Sequence, residues 1–198
     1  MKFNDYRTIF QVCTLALILL AASPAISQVI SLPNSGEQFS ELWILGPNHM
    51  AENFPYNITV GTKNNFYLGV GNHLGGSTYY LVKAKFRNQT QPLPSINISQ
   101  PSSLLSIHEF QFIQKDNGIW ETQIDFEVLD ASITDNSMVI NSISINDRVI
   151  QVDFESIPDS EDGKYYFQLF FELYLYNSTN SSFEFHDRFV GVWLNIAV

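Results

Sequence analysis

The chain has 198 residues, of which 45% are hydrophobic and only 15% charged, with 16 Phe and 9 Tyr. That composition supports one or two domains with a real core and excludes intrinsic disorder and fibrous or low-complexity architectures. Ten basic against twenty acidic residues give a formal net charge of -10, which leaves no basic footprint for displacing counterions from a nucleic acid. The single cysteine, Cys13, excludes an internal disulfide.

The first predicted element is an export signal over residues 1–27. Lys2 and Arg7 open the chain, and no charge follows until Glu37. Between them Thr8–Ala22 is an apolar helix former, and Ser23-Pro24-Ala25-Ile26-Ser27 places small residues where a signal peptidase reads an extended strand. Pro24 ends the helix before that strand. A cut after Ser27 is one outcome. The other is an uncleaved N-terminal anchor that draws on Ile9–Ile30 to reach the ~20 residues of a spanning helix. The basic and small-residue flanks argue against a buried core helix. Cys13 lacks the small-residue context of a lipoprotein cysteine. Cleavage leaves a chain with no thiol, which excludes a cysteine nucleophile, a zinc-thiolate site and a blue-copper site. Residues 28–38 read as a short linker.

From Phe39 to Val198 the dominant signal is period-two alternation, the mark of half-buried strands. Phe66, Leu68 and Val70 form one strand, and Tyr80, Val82, Ala84 and Phe86 oppose Lys83, Lys85 and Arg87 in the next. Phe110 and Phe112 mark a third. Trp120, Thr122, Ile124, Phe126 and Val128 then alternate with Glu121, Gln123, Asp125 and Glu127, as in an antiparallel strand with one wet face. Val149–Phe154 follows. In Tyr165–Tyr176 the odd positions are apolar or aromatic while Gln168 and Glu172 fall on the even ones, and Phe189–Ile196 closes the set. His73-Leu74-Gly75-Gly76, Asp116-Asn117-Gly118, Asn146-Asp147 and Asp162-Gly163 carry the chemistry of hairpin turns. Asn88–Ser103, with Pro92, Pro94 and Pro101, reads as a long loop, and so does Asp130–Ser137. No internal repeat is visible. Seven to nine short strands predict an all-β fold: one antiparallel β-sandwich over 39–198, immunoglobulin-like, following the N-terminal signal or anchor helix. Its predicted core is Phe66, Leu68, Val70, Trp120, Ile124, Phe126, Leu169, Phe171 and Trp193.

Candidate chemistry is sparse. His49, His73, His108 and His186 show no metal-ligand spacing. His49 and His73 fall in loops where, with Glu52, they make a minimal ligand set, but solvated loop histidines are the simpler reading. No G-x-S-x-G elbow exists. The carboxylate pairs Glu121/Asp125 and Asp125/Glu127 share a solvated strand face, and the aromatics sit at core parity instead of lining a glycan cleft. Asp159-Ser160-Glu161-Asp162-Gly163, with Asp153 and Glu155 near in sequence, is an oxygen-rich turn of the kind that suits Ca²⁺. Asp159, Glu161 and Asp162 are its candidate ligands, against the alternative of an acidic solvated hairpin tip. No other cofactor is expected. Five N-x-[ST] sequons occur. Those at Asn88, Asn97, Asn177 and Asn180 lie in predicted loops, and Asn57 lies beside an aromatic bend.

Phe39–Asn48 (ending Ile-Leu-Gly-Pro-Asn), Ala51-Glu-Asn-Phe-Pro-Tyr-Asn-Ile-Thr-Val-Gly61 and Gly69-Val-Gly-Asn-His73, in that order, resemble domain-of-unknown-function family sixteen-sixteen, uncharacterised archaeal membrane proteins. Asp187–Asn195 resembles the family's last strand. The resemblance spans roughly Phe39–Val198, the family's extracytoplasmic β-domain. Family members commonly carry several transmembrane helices before it, whereas here a single apolar segment precedes it, so nothing seated in those helices carries over. It implies no activity. Read physically, Gly46-Pro47 ends a strand, Phe54-Pro55-Tyr56 makes a rigid aromatic bend, and Asn72 caps backbone groups at a strand end. The alternative is a loop ligand site of Glu52, Asn72 and His73.

Together these readings describe an exported archaeal cell-envelope module that binds or builds without catalysing. The alternative is a secreted hydrolase or a Ca-dependent carbohydrate-binding domain. The expected partner is an envelope protein or glycan, and nucleic acid is excluded. Membrane contact is expected through the N-terminal segment if it stays uncleaved. The β-domain is expected outside the cytoplasm, secreted or anchored.

Overall fold

The computed structural model describes residues 6–7, 10–18 and 37–198. It divides into two compact units, Met1–Gln38 and Phe39–Val198. In the first, residues 10–18 are helical, with the Thr14 hydroxyl donating to the Phe10 carbonyl at 2.8 Å and Cys13 free and exposed. Among the described residues no helix is long and apolar enough to cross a membrane. The expected cut after Ser27, the residues around it and the linker up to position 36 lie outside the described residues.

The second unit contains ten strands: β1 (Phe39–Leu45), β2 (Asn57–Thr59), β3 (Asn64–His73), β4 (Thr78–Asn88), β5 (His108–Gln114), β6 (Gly118–Thr134), β7 (Ser137–Ile145), β8 (Arg148–Ser156), β9 (Tyr165–Asn177) and β10 (Ser182–Ala197). They form two five-stranded sheets, ordered β1-β3-β6-β7-β8 and β2-β10-β9-β4-β5. All pairs are antiparallel except β2 with β10, which is parallel through Asn57–Thr59. The architecture is a two-sheet sandwich as expected, antiparallel but for that one pair, with one strand more than the upper count. β6 and β10, at 17 and 16 residues, are long instead of short.

Alternation decides which face is buried. Phe66, Leu68 and Val70 from β3, Ile124 and Phe126 from β6, and Leu169 and Phe171 from β9 are all buried as expected. Rings from the two sheets interlock: Phe66 meets Phe171 edge-on at 5.9 Å, and Phe86 lies 6.0 Å from Phe126 and 5.0 Å from Phe154. Such pairs add about 0.5–1.5 kcal/mol each beyond their buried area. Trp120 is partly buried but packs on this core, stacked on Phe112 at 4.0 Å. One buried hydrogen bond, Ser40 Oγ to Tyr80 OH at 2.8 Å, ties β1 to the opposite sheet.

Four expectations are corrected. Trp193 is not core: it is 37% exposed and its ring lies over the Arg87 guanidinium, 4.9 Å from the centroid, on the outer face. Residues 189–196 are apolar at both parities, so alternation alone does not choose a face; the bulge between Phe185 and Phe189 resets the register so that Val192, Leu194 and Ile196 point inward. Second, Asp130–Ser137 is not a loop. β6 runs to Thr134, and Asp135-Asn136, both at positive φ, turn directly into β7. Third, the turns at residues 73–76, 116–118 and 162–163 are not hairpins but crossings between sheets, since β3/β4, β5/β6 and β8/β9 belong to different sheets. Of the four expected turns, Asn146-Asp147, at φ 48 and 62, alone makes a β-hairpin. Fourth, Lys85 and Arg87 do not face water. They are 4% and 7% exposed, because the proline-rich segment after β4 folds back over this face.

Candidate functional site

The motif residues converge on the outer face of β1, β3 and β6. In the ladder Trp43 is opposite Gly69, which is opposite Glu121, and Glu41 is opposite Gly71, which is opposite Ile119. The two glycines of Gly69-Val-Gly71 leave a bare track along β3. A Cβ added at Gly69 would collide with the Trp43 indole, and one at Gly71 would stand 2.7 Å from Glu41 Oε2. Gly69 is required because the Trp43 ring lies over its backbone, whereas at Gly71 the flexible Glu41 carboxylate would have to swing aside.

A histidine is fixed at each end of this track. His73, the last residue of β3, stacks on Phe39 with ring centroids 4.8 Å apart. Its Nδ1–H donates to Asn117 Oδ1 at 3.1 Å, and Nε2 stands 3.5 Å from Glu41 Oε2. His49, in the loop after β1, stacks on Tyr67 at 3.7 Å and places Nδ1 2.8 Å from Glu121 Oε1. Tyr67 and His73 are six residues apart on one strand, roughly 20 Å at ~3.3 Å per residue. The two histidines therefore do not meet, and Glu52 is exposed on the loop between β1 and β2. Beside the track, Phe39, Glu41, Trp43, Ile119 and Arg188 line a shallow depression of about 640 Å³. This arrangement offers flat aromatic area rimmed by charge.

Asn72, between track and turn, is fully buried and works as a clip. Its Nδ2 donates to the carbonyls of Gly76 and Gln114, both at 2.8 Å, and its Oδ1 accepts from the Leu74 N–H at 3.1 Å. The expected backbone cap is thus observed, and it joins the β3–β4 crossing to the end of β5.

The acidic turn is held together by hydrogen bonds to its carboxylates. Asp159 Oδ1 accepts from the Glu161 N–H at 2.9 Å, and Oδ2 from Gln89 Nε2 at 3.1 Å. Asp162 takes the Lys164 N–H, the Lys164 ammonium at 3.1 Å and the Tyr166 hydroxyl at 2.6 Å. The Tyr166 bond is the largest cause holding the Asp162 carboxyl below its usual range. The Asp159 and Asp162 oxygens are thus engaged by the turn and by Gln89, while Glu161 contributes its backbone N–H and is exposed. Among the described residues no group of three His, Cys, Asp or Glu side chains converges to hold a metal.

The sequon asparagines differ in access. Asn97 is exposed in the short 3₁₀ turn Ile96–Ile98. Asn180 is exposed, and its amide contacts Glu184. Asn177 and Asn88 end strands with their amides donating to Glu184 and to the Glu155 carbonyl. Asn57 accepts from Asn195 Nδ2 at 2.9 Å.

One cluster escaped sequence reasoning. Glu172, fully buried in β9, accepts from Lys85 Nζ at 2.8 Å, from Tyr174 OH at 2.6 Å and from the Ser102 N–H at 2.7 Å. Lys85 also donates to the Ser102 carbonyl at 2.6 Å. Burial, followed by the bond to Glu172, pushes the Tyr174 phenol far above its ordinary value, so it stays a donor. The parity of Glu172 and Lys85 promised a wet face. The covering loop, whose closure is a long-range event, gave them a dry one.

Comparison with known proteins places the motif strands in context. The model of the family described as Domain of unknown function (DUF1616) matches residues 33–138, which contain the whole track from β1 through β6. No curated protein matches the chain. Among solved structures, β-glucosidase from Listeria innocua, in complexes with glucose and with gluconolactone, superposes with TM-scores of 0.35 and 0.34 at 7% identity. Those superpositions cover 82% of this chain and 17% of the glucosidase, so the chain spans well under a fifth of that enzyme's length. The ASH/PapD-like domain 7 of human CEP192 superposes at 0.29 with 9% identity, over 83% of this chain and 89% of that one. Superpositions this loose bear on neither activity nor partner. The family match covers more than half of the chain and holds the ordered motifs in one stretch: the chain belongs to the DUF1616 family, a domain of unknown function.

Proposed function

We propose that the protein is an exported, non-catalytic binding module of the cell envelope. The observation that carries this reading is the glycine track of β3. The residues of the Gly69-Val-Gly-Asn-His73 motif are used to lay Trp43, Glu41, His73 and Phe39 flat on an accessible sheet face. A broad surface of rings rimmed by charged groups suits recognition of another surface, because aromatic rings provide contact area at small entropic cost. Export is supported by the basic start, apolar run and small-residue segment of residues 1–27. An acidic exterior keeps such a module soluble and repels anionic headgroups and nucleic acid.

Fractionation with N-terminal sequencing tests export: an intact Met1 in soluble cytoplasm defeats it. Cross-linking from the membrane fraction, run beside a hydrolase panel on the purified chain, tests binding against catalysis. Trp43→Ala combined with His73→Ala is expected to abolish recovery of one reproducible envelope partner while the circular dichroism spectrum is kept. Turnover that a single carboxylate substitution abolishes would overturn the reading.

A further inference from the structure

The Phe54-Pro55-Tyr56 bend and the last strand, β10, form a second surface. Asn195 N–H donates to the Tyr56 carbonyl at 2.7 Å, and the Ala197 carbonyl accepts from Val60 N–H at 3.1 Å. Odd residues at this end of β10 therefore point their backbone groups away from β9 and toward β2. Counting back in twos, Trp193 and Gly191 present N–H and C=O in the same direction. There β2 has not yet begun: it pairs only with Asn195–Ala197. Asn53 at φ 56 and Pro55, which has no N–H, turn the chain off β10 instead of letting it continue the ladder. The result is a cleft of about 700 Å³ whose walls include Ile44, Phe54, Tyr56, Val190, Val192 and Trp193.

The edge has two properties that suit an incoming strand. Elsewhere β10 is blunted by its bulge, with Asp187 at φ 51, a usual defence of an edge. The stretch from Gly191 to Trp193 lacks that defence. Position 191 is glycine because a Cβ there would stand 2.7 Å from the Phe170 Cβ and 2.9 Å from the Leu169 carbonyl of the paired strand β9, and it therefore puts no side chain of its own beside the edge. The unpaired donors and acceptors alternate at the spacing of a β-ladder, a pattern that a sugar or a lipid chain does not match and an extended polypeptide does.

We infer that this cleft is a strand-addition site that binds an extended peptide of a partner protein, carrying on the line of β2 along β10. The backbone of the bound segment pairs with Gly191 and Trp193. Alternate side chains enter the seam against Ile44, Val190 and Val192, so the segment recognised is one with apolar residues at every second position. This rests on the binding-module reading and names its partner's chemistry.

The test uses the full chain and a random heptapeptide display library selected on it. The best binder is then synthesised with free and with alternately N-methylated backbone. Selected peptides are expected to share apolar residues at alternate positions and to slow hydrogen exchange at the Gly191 and Trp193 amides. N-methylation on the ladder side is expected to weaken binding by about tenfold or more. Phe54→Ser, at an exposed cleft wall, is expected to weaken it while leaving the melting temperature unchanged. Failure to select a binder, equal binding of the N-methylated peptide, or protection mapping to the Trp43 face would each overturn the inference. So would a concentration-dependent dimer that alone protects these amides. Turnover in the hydrolase panel defeats the module reading and leaves this exchange measurement unaffected.

Discussion

The Glu172 carboxylate is fully buried, with an ammonium, a phenol and a backbone N–H all directed at it in a dry site. Removing one member of a buried ion pair costs about 3–5 kcal/mol, because the other is left charged and unpaired. Glu172→Ala is therefore expected to lower stability by roughly that amount in urea titration. Lys85→Met with Glu172→Leu is expected to recover most of the loss. A single variant as stable as the parent would show that the pair contributes nothing. Neither residue stands out in sequence, where Lys85 and Glu172 occupy the polar positions of alternating strands. The signal that was available was the proline-rich segment 88–103, too long to be a turn and obliged to lie on some surface.

At the scale of elements, the edges of β5 and β10 hold two half-buried histidines. His108 Nδ1 and His186 Nε2 are buried without a hydrogen-bond partner. Burial lowers both pKa values, helped by Arg148 for His108 and by Arg188 for His186, against Glu109 and Asp187. The folded chain thus favours neutral imidazole. The unfolded chain takes up protons first as the pH falls through the ordinary histidine value near 6.5. Stability from these groups is complete above that value and is lost below it, toward the lowered folded values. Urea titrations at pH 7.5 and 5.5 are expected to show a smaller loss for His186→Leu than for the parent. An identical pH dependence would exclude His186 as a contributor.

Across the whole molecule, stability rests on the two-sheet core. Ile124, at the centre of β6 and fully buried, faces it opposite Phe66 in the ladder. Ile124→Asp places an unpaired carboxylate there at a cost of several kcal/mol, against a total of about 5–15 kcal/mol for a typical domain. The variant is expected to lose near-ultraviolet circular dichroism and cooperative melting. Retention of both would mean that the core is not organised around this strand.

The sandwich itself was legible in the sequence. Alternation in residues 66–70, 80–86, 120–128 and 165–175 is a local consequence of which side chains avoid water, and it named most of the core correctly. The Asn72 cap was also legible, because a strand-ending asparagine acts on backbone groups close by. What alternation does not carry is how many layers cover a face. Lys85, Arg87 and Glu172 are buried by a loop that closes over them. Trp193 is turned outward by a bulge set through β9, and Asp116-Asn117-Gly118 crosses between sheets instead of pairing its flanks. The same holds for both surfaces of interest. The glycines of β3 and the Phe54-Pro55 bend are visible residue by residue. Only the pairing of β1 with β3, and the late start of β2 beside β10, turn them into a face and a cleft, because both are contacts between segments far apart in the chain.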